Sequence, residues 1–205
     1  DVSTSGGAVT INAQEGTGTA DSAGFYMPAD GSISAGGGNV NISGSMDSAL
    51  TGQSYRALRL GSSGATPSPS VSTTGSGTIT MTGTITGSTT NTSHQAVLFE
   101  KATVSAVNGN ISFTANPLSG SQRGFLFVNG SSSISTTGTG DITFTSTASS
   151  AGDSFTPSSI SSGGKLTIAS DNPAFDASST LSATGMLTLK PNGTSFTNAV
   201  TFPGT

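Results

Sequence analysis

The sequence predicts an all-β chain wound into a parallel β-helix of about seven coils and three sheets, one solenoid spanning residues 1–205 and narrowing toward its C-terminus. Three observations predict it. A Gly-initiated strand motif recurs seven times, an apolar-Ser motif precedes each copy at a nearly fixed distance, and no stretch carries a helical apolar period.

The first segment of each coil is a β-branched or Leu residue followed by Ser: Val2-Ser3, Ile33-Ser34, Val71-Ser72, Val104-Ser105, Ile134-Ser135, Ile160-Ser161 and Leu181-Ser182. The second is Gly, any residue, Val/Ile/Leu, a small polar residue and a hydrophobe. It reads Gly7-Ala8-Val9-Thr10-Ile11, Gly38-Asn39-Val40-Asn41-Ile42, Gly77-Thr78-Ile79-Thr80-Met81 and Gly109-Asn110-Ile111-Ser112-Phe113. It continues as Gly140-Asp141-Ile142-Thr143-Phe144, Gly164-Lys165-Leu166-Thr167-Ile168 and Gly185-Met186-Leu187-Thr188-Leu189. Alternation of apolar and polar residues is strand periodicity, and Thr, Val, Ile and Phe suit a pleated, half-buried surface. From the first apolar residue to the last hydrophobe of the Gly motif the spacings are 9, 9, 10, 9, 10, 8 and 8 residues. One corner is therefore under tight geometric control, and Gly and Asn are expected there to supply left-handed conformations.

The third segment lies in the variable remainder, marked by Phe25-Tyr26-Met27, Ala57-Leu58, Val97-Leu98-Phe99, Phe125-Leu126-Phe127, Phe155, Phe175 and Phe196. Successive coils measure 31, 38, 33, 30, 26 and 21 residues, which predicts the narrowing. Seven coils at about 4.8 Å give a rod about 33 Å long. A pair of immunoglobulin-like sandwiches is the competing all-β reading, but a sandwich has no reason to repeat one motif in one polarity seven times. Neither end shows a capping segment, so the chain is expected to be part of a longer solenoid.

Composition narrows the function. Of 205 residues, 38 are Ser, 33 Thr and 29 Gly; charged residues make up 8%, and the net charge is −4. Six basic residues do not build a nucleic-acid footprint. Zero Cys excludes disulfides, thiol catalysis and thiolate metal sites, and no apolar run approaches the ~18 residues of a membrane-spanning helix, so no membrane insertion is expected.

The seven Gly-x-Ile-Thr-Phe units with Ser/Thr/Asn/Gly-rich connections resemble the filamentous-haemagglutinin type of bacterial exoprotein. The resemblance implies a right-handed β-helix, exported by two-partner secretion and displayed as an adhesin or surface fibre. Asn116-Pro117-Leu118 and Asn172-Pro173-Ala174 do not match the Asn-Pro-Asn motifs of that family's secretion domain, so the chain resembles the shaft. Autotransporter passengers share the fold.

No enzyme, cofactor or metal site is expected. The ten acids are scattered, with Asp171 and Asp176 the nearest pair, and His94 is the only base for a nucleophilic triad. A polysaccharide-binding or -degrading tailspike would need paired carboxylates. Thr10, Asn41, Thr80, Ser112, Thr143, Thr167 and Thr188 should stack on an outer face; Thr arrays of this kind bind ice, but this column is mixed. Sequons occur at Asn41, Asn91, Asn110, Asn129 and Asn192, about as many as the Ser and Thr content gives by chance. Insertions in repeat proteins map to one face. The longest excursion, from about Gly44 to Ser70, holds Tyr55, Arg56 and Arg59, candidate ligand-binding residues because an aromatic beside guanidinium groups suits sugar or protein contact. On the alternative reading, Tyr55 and Leu58 pack the excursion onto the shaft. The partner expected is a host or bacterial surface glycan or protein, with end-to-end self-association a further option at the uncapped ends.

Overall fold

The computed structural model describes residues 1–15, 22–47, 55–64, 66, 68–87, 93–118, 122–130, 132–149 and 151–200. Among these there are strands and no helices; the apolar-Ser and Gly motifs become strands at the same place in all seven coils, while of the third-segment markers Phe155 and Phe175 lie just past short strands and Phe196 lies on none. The first coil is β1 (Val2–Thr4), β2 (Val9–Gln14) and β3 (Ala23–Met27); the second is β4 (Ser32–Ala35), β5 (Val40–Asp47) and β6 (Arg56–Leu60). The third is β7 (Ser70–Thr73), β8 (Ile79–Thr86) and β9 (Gln95–Glu100); the fourth is β10 (Thr103–Ala106), β11 (Ile111–Asn116) and β12 (Arg123–Val128). The fifth is β13 (Ser132–Thr136), β14 (Ile142–Ser146) and β15 (Asp153–Ser154); the sixth is β16 (Ser158–Ser162), β17 (Leu166–Ala169) and β18 (Pro173–Ala174). The seventh has β19 (Thr180–Ala183) and β20 (Leu187–Lys190).

Like strands stack in parallel. Sheet A holds the seven first strands, sheet B the seven second strands and sheet C the six third strands. The chain is a parallel β-helix. The register follows the motifs residue for residue: Val2, Ile33, Val71, Val104, Ile134, Ile160 and Leu181 form one column of sheet A. From Ile33 to Ile160 that column is buried, as are Ile79, Ile111 and Ile142 in the matching column of sheet B. Between them run stacked rings, with Phe99 on Phe127 at 4.6 Å and Phe113 on Phe144 at 4.8 Å.

The narrowing is real and is concentrated in sheet C. β9 and β12 have six residues each, while β15 and β18 have two.

The fixed corner between sheets A and B depends on glycine in two ways, the first being that Gly37 and Gly75 take the expected left-handed conformation there, with φ of 109° and 59°. None of the seven motif glycines has a positive φ. A β-carbon on Gly38, Gly77, Gly109 or Gly140 would instead lie closer than 3.0 Å to the carbonyl oxygen of the motif glycine one coil earlier. Glycine lets backbones stack there without side chains between them. Hydroxyls tie the corner: Thr73 Oγ1 donates to the Gly38 carbonyl at 2.8 Å, and Thr136 Oγ1 to the Gly140 carbonyl at 2.6 Å. The residue after the glycine adds a rung, since Asn110 Oδ1 accepts from Asp141 N at 2.9 Å and Asp141 Oδ1 from Lys165 N at 2.7 Å. Left-handed residues stand also at the corner between sheets C and A, where Asp30, Gly61, Lys101 and Asn129 each follow a sheet C strand.

Sheets B and C also extend past the three-sided core as two apposed layers. β5 and β8 keep alternating through Gly44-Ser45-Met46 and Gly83-Thr84-Ile85, and Met46 and Ile85 are buried. A β-carbon on Gly44 or Gly83 would run into the carbonyl of Ala57 or Ala96. Small residues therefore let the layers close.

Candidate functional site

The three outer faces differ in chemistry. On sheet A the column beside the buried one is hydroxyl throughout: Ser3, Ser34, Ser72, Ser105, Ser135, Ser161 and Ser182 pair in one unbroken line. On sheet B the expected ladder forms in full register, from Thr10 through Asn41, Thr80, Ser112, Thr143 and Thr167 to Thr188. Sheet A offers short neutral groups, and sheet B does so apart from exposed Asp47 at the end of β5 and exposed Lys190 at the end of β20.

Sheet C is different. All three arginines of the chain lie on its strands, Arg56 and Arg59 on β6 and Arg123 on β12. A polar chain crosses four coils diagonally. Tyr26 of β3 is 45% exposed, and the Arg59 guanidinium of β6 sits 4.9 Å over its ring. Arg59 Nη2 pairs with Glu100 Oε2 at 2.6 Å, its Nε donates to the same oxygen at 2.9 Å, and Nε also donates to the Gly61 carbonyl at 3.1 Å. Glu100 closes β9, and its Oε1 accepts from Asn129 Nδ2 at 2.7 Å. The left-handed turn at Asn129, with φ of 60°, sets that amide. Charge-assisted bonds of this kind are roughly twice as strong as neutral ones, so the guanidinium is held in one place.

Of the three residues singled out from sequence, the structure brings Arg56 and Arg59 to this face, both partly exposed. Tyr55 lies elsewhere. It is wholly buried between the layers of sheets B and C, its ring 5.1 Å from that of His94, and Leu58 is buried as well. The exposed aromatic beside Arg59 is Tyr26, one coil earlier. Its pairing with Arg59 is a register fact, and only the alignment of coil one on coil two could have found it.

His94 is buried too. Its Nδ1 accepts from Tyr55 N at 3.3 Å, so the hydrogen of the neutral ring is on Nε2, and burial, then the Arg56 charge, hold its pKa below the ordinary histidine value. Asp171 accepts from Gly193 N at 2.7 Å, and Asp176 accepts from Ser178 N at 2.9 Å; both order turns. Among the described residues no three His, Asp or Glu gather as metal ligands would. Of the sequons, Asn110 is exposed, Asn41 and Asn129 carry the contacts above, Asn192 is exposed, and Asn91 lies outside the described residues.

The fold and this face define a class, a parallel β-helix with one chemically distinct outer sheet. Comparison goes no further, since no family model, no curated protein and no solved structure matches the chain.

Proposed function

We propose that this chain is a structural and adhesive segment of a secreted bacterial surface exoprotein, a rod that presents a binding surface on the outer face of sheet C. The observation that carries the reading is the asymmetry of the faces. Sheets A and B expose mainly short hydroxyl and amide groups, which solvate a parallel sheet without selecting a partner; the charges on sheet B, Asp47 and Lys190, stand singly on β5 and β20. The third gathers every arginine, an exposed tyrosine and a locked ion pair on a rigid support. Preorganised aromatic and guanidinium groups lose little entropy on binding, which suits recognition of a cell-surface glycan or protein.

The test is adhesion of the purified chain to bacterial and host cells, comparing wild type with Tyr26→Ala and Arg59→Ala, and with Thr143→Ala on sheet B as control. Deleting the excursion would remove β6 and its buried Leu58 and Leu60, so point variants are the cleaner probe. Loss of adhesion confined to the sheet C variants supports the reading; equal adhesion by all four proteins overturns it.

A second reading is end-to-end association. Val2, Ile11 and Phe25 line an apolar hollow at the first coil, and Phe175, Leu181, Leu187 and Leu189 line one at the last. Light scattering that rises with concentration supports it, and a constant monomer mass across the range rejects it.

A further inference from the structure

Resting on the adhesive reading above, we propose that the outer face of sheet C across coils two to four binds a linear polysaccharide bearing carboxylates, laid parallel to the rod axis. Over these coils the face and its rim carry Arg56, Arg59, Lys101 and Arg123 against two acids, Glu100 and, where β5 ends, Asp47, in a chain whose net charge is −4. Four of the six cations are thus gathered where the local charge opposes that of the whole molecule. Such a field selects an anion. Glu100 offsets Arg59, with which it pairs while also accepting from Asn129, so the surplus rests on Arg56, Lys101 and Arg123.

The arrangement is also directional. Arg56, Gln95 and Arg123 begin β6, β9 and β12 and pair with one another in register, so they form a column along the axis. Gln95 Oε1 accepts from Arg56 Nε at 3.1 Å, which orients that guanidinium. The two arginines stand two coils apart, about 9.6 Å along the axis. A polymer with an acid on alternate sugars presents charge at a comparable period, and the planar fork of a guanidinium matches a planar carboxylate. Tyr26 extends the face with an aromatic plane against which a sugar ring can lie.

The experiment is calorimetric titration with hyaluronate oligosaccharides, with neutral dextran and dextran sulfate, which is anionic but has no carboxylate, in parallel. The proteins are wild type, Arg123→Gln, the Arg56→Gln/Arg123→Gln double variant, and Lys165→Gln, which removes a cation from the corner of sheets A and B. Matched melting curves confirm that each is folded. The expected result is saturable hyaluronate binding that weakens at least tenfold in the double variant, survives in Lys165→Gln, and is absent with dextran. Binding of dextran sulfate as tight as hyaluronate, or an equal loss in Lys165→Gln, would overturn the carboxylate assignment in favour of diffuse electrostatics. Cell adhesion that hyaluronate does not compete and Arg123→Gln does not weaken would overturn it while leaving the adhesive reading intact. Absence of both cell and polysaccharide binding overturns both.

Discussion

Replacing Gly109 with alanine should destabilise the rod far more than its exposed corner suggests. The added methyl would lie closer than 3.0 Å to both atoms of the Gly77 carbonyl, a separation that real β-carbons essentially never show. Relief requires coils three and four to part. Two hydrogen bonds hold them together beside the contact, Asn108 N to Gly75 O and Ile79 N to Asn110 O, both at 2.9 Å. Losing both costs about 2 kcal/mol, and residual strain adds about 1–3 kcal/mol. Because φ at Gly109 is not positive, alanine also recovers about 0.4–1 kcal/mol through the unfolded chain. The net is a loss of about 3 kcal/mol, which lowers the melting midpoint by roughly 6–12 °C in a chain of this size. Gly64→Ala is the control: its β-carbon would meet nothing within 4 Å, so the entropic gain stands alone and the midpoint should rise slightly. Thermal unfolding followed by circular dichroism reads both. If Gly109→Ala melts with wild type, or above Gly64→Ala, close stacking is not why glycine is there.

Three further outcomes are expected. Ile142→Asp puts an unpaired charge in a fully buried column between Ile111 and Leu166, and should cost at least about 4 kcal/mol; an unchanged melt would mean that the strand faces the other way. Phe155→Ala removes the ring that touches Phe125, Phe127, Phe144 and Phe175, and a loss of about 3–5 kcal/mol in urea unfolding is expected, with less than 1 kcal/mol indicating a loosely packed end. Asp153 is buried and accepts from Phe125 N at 2.6 Å, Ser146 Oγ at 3.0 Å and Ser170 Oγ, yet burial pushes its carboxyl above the usual range. A raised acid stabilises the fold fully below its ordinary pKa, and that contribution is lost as pH rises through the raised value. Asp153→Asn should therefore gain on wild type as pH rises above the ordinary carboxylate range, and a melting difference that does not change with pH would refute the burial argument.

What was legible in the sequence was whatever repeats. Val2, Ile33 and Val71 announce a column because each is followed by Ser and then, at fixed distance, by the Gly motif. The register of sheets A and B could be read off directly. Sheet C was harder, because its strands lie behind insertions of different length; only its aromatics showed, and Asp153 in an inner position did not. The two-layer extension had a signal, the alternation running on from Ile42 through Gly44 to Met46 and from Met81 through Gly83 to Ile85. Followed outward, it places Tyr55 and His94 inside. The Tyr26–Arg59–Glu100–Asn129 chain left no such trace. Its members come from four coils and share no motif, and nothing local distinguishes Glu100 from any surface acid until the register sets it beside Arg59.

The shrinking coils have a mechanical consequence. Hydrogen bonds between coils run along the axis, so tension on the two ends of the chain peels coils from the rod one at a time. Each coil removed shortens the rod by about 4.8 Å but frees its whole perimeter. The 33 residues between Val71 and Val104 would span roughly 110–120 Å when straight, and the 21 between Ile160 and Leu181 about 70–75 Å. The narrow C-terminal coils, held by the two-residue strands β15 and β18, release first and in small steps. From coil two onward the taper makes the rod a graded spring under load, soft at its narrow coils and progressively harder to unwind toward the wide ones.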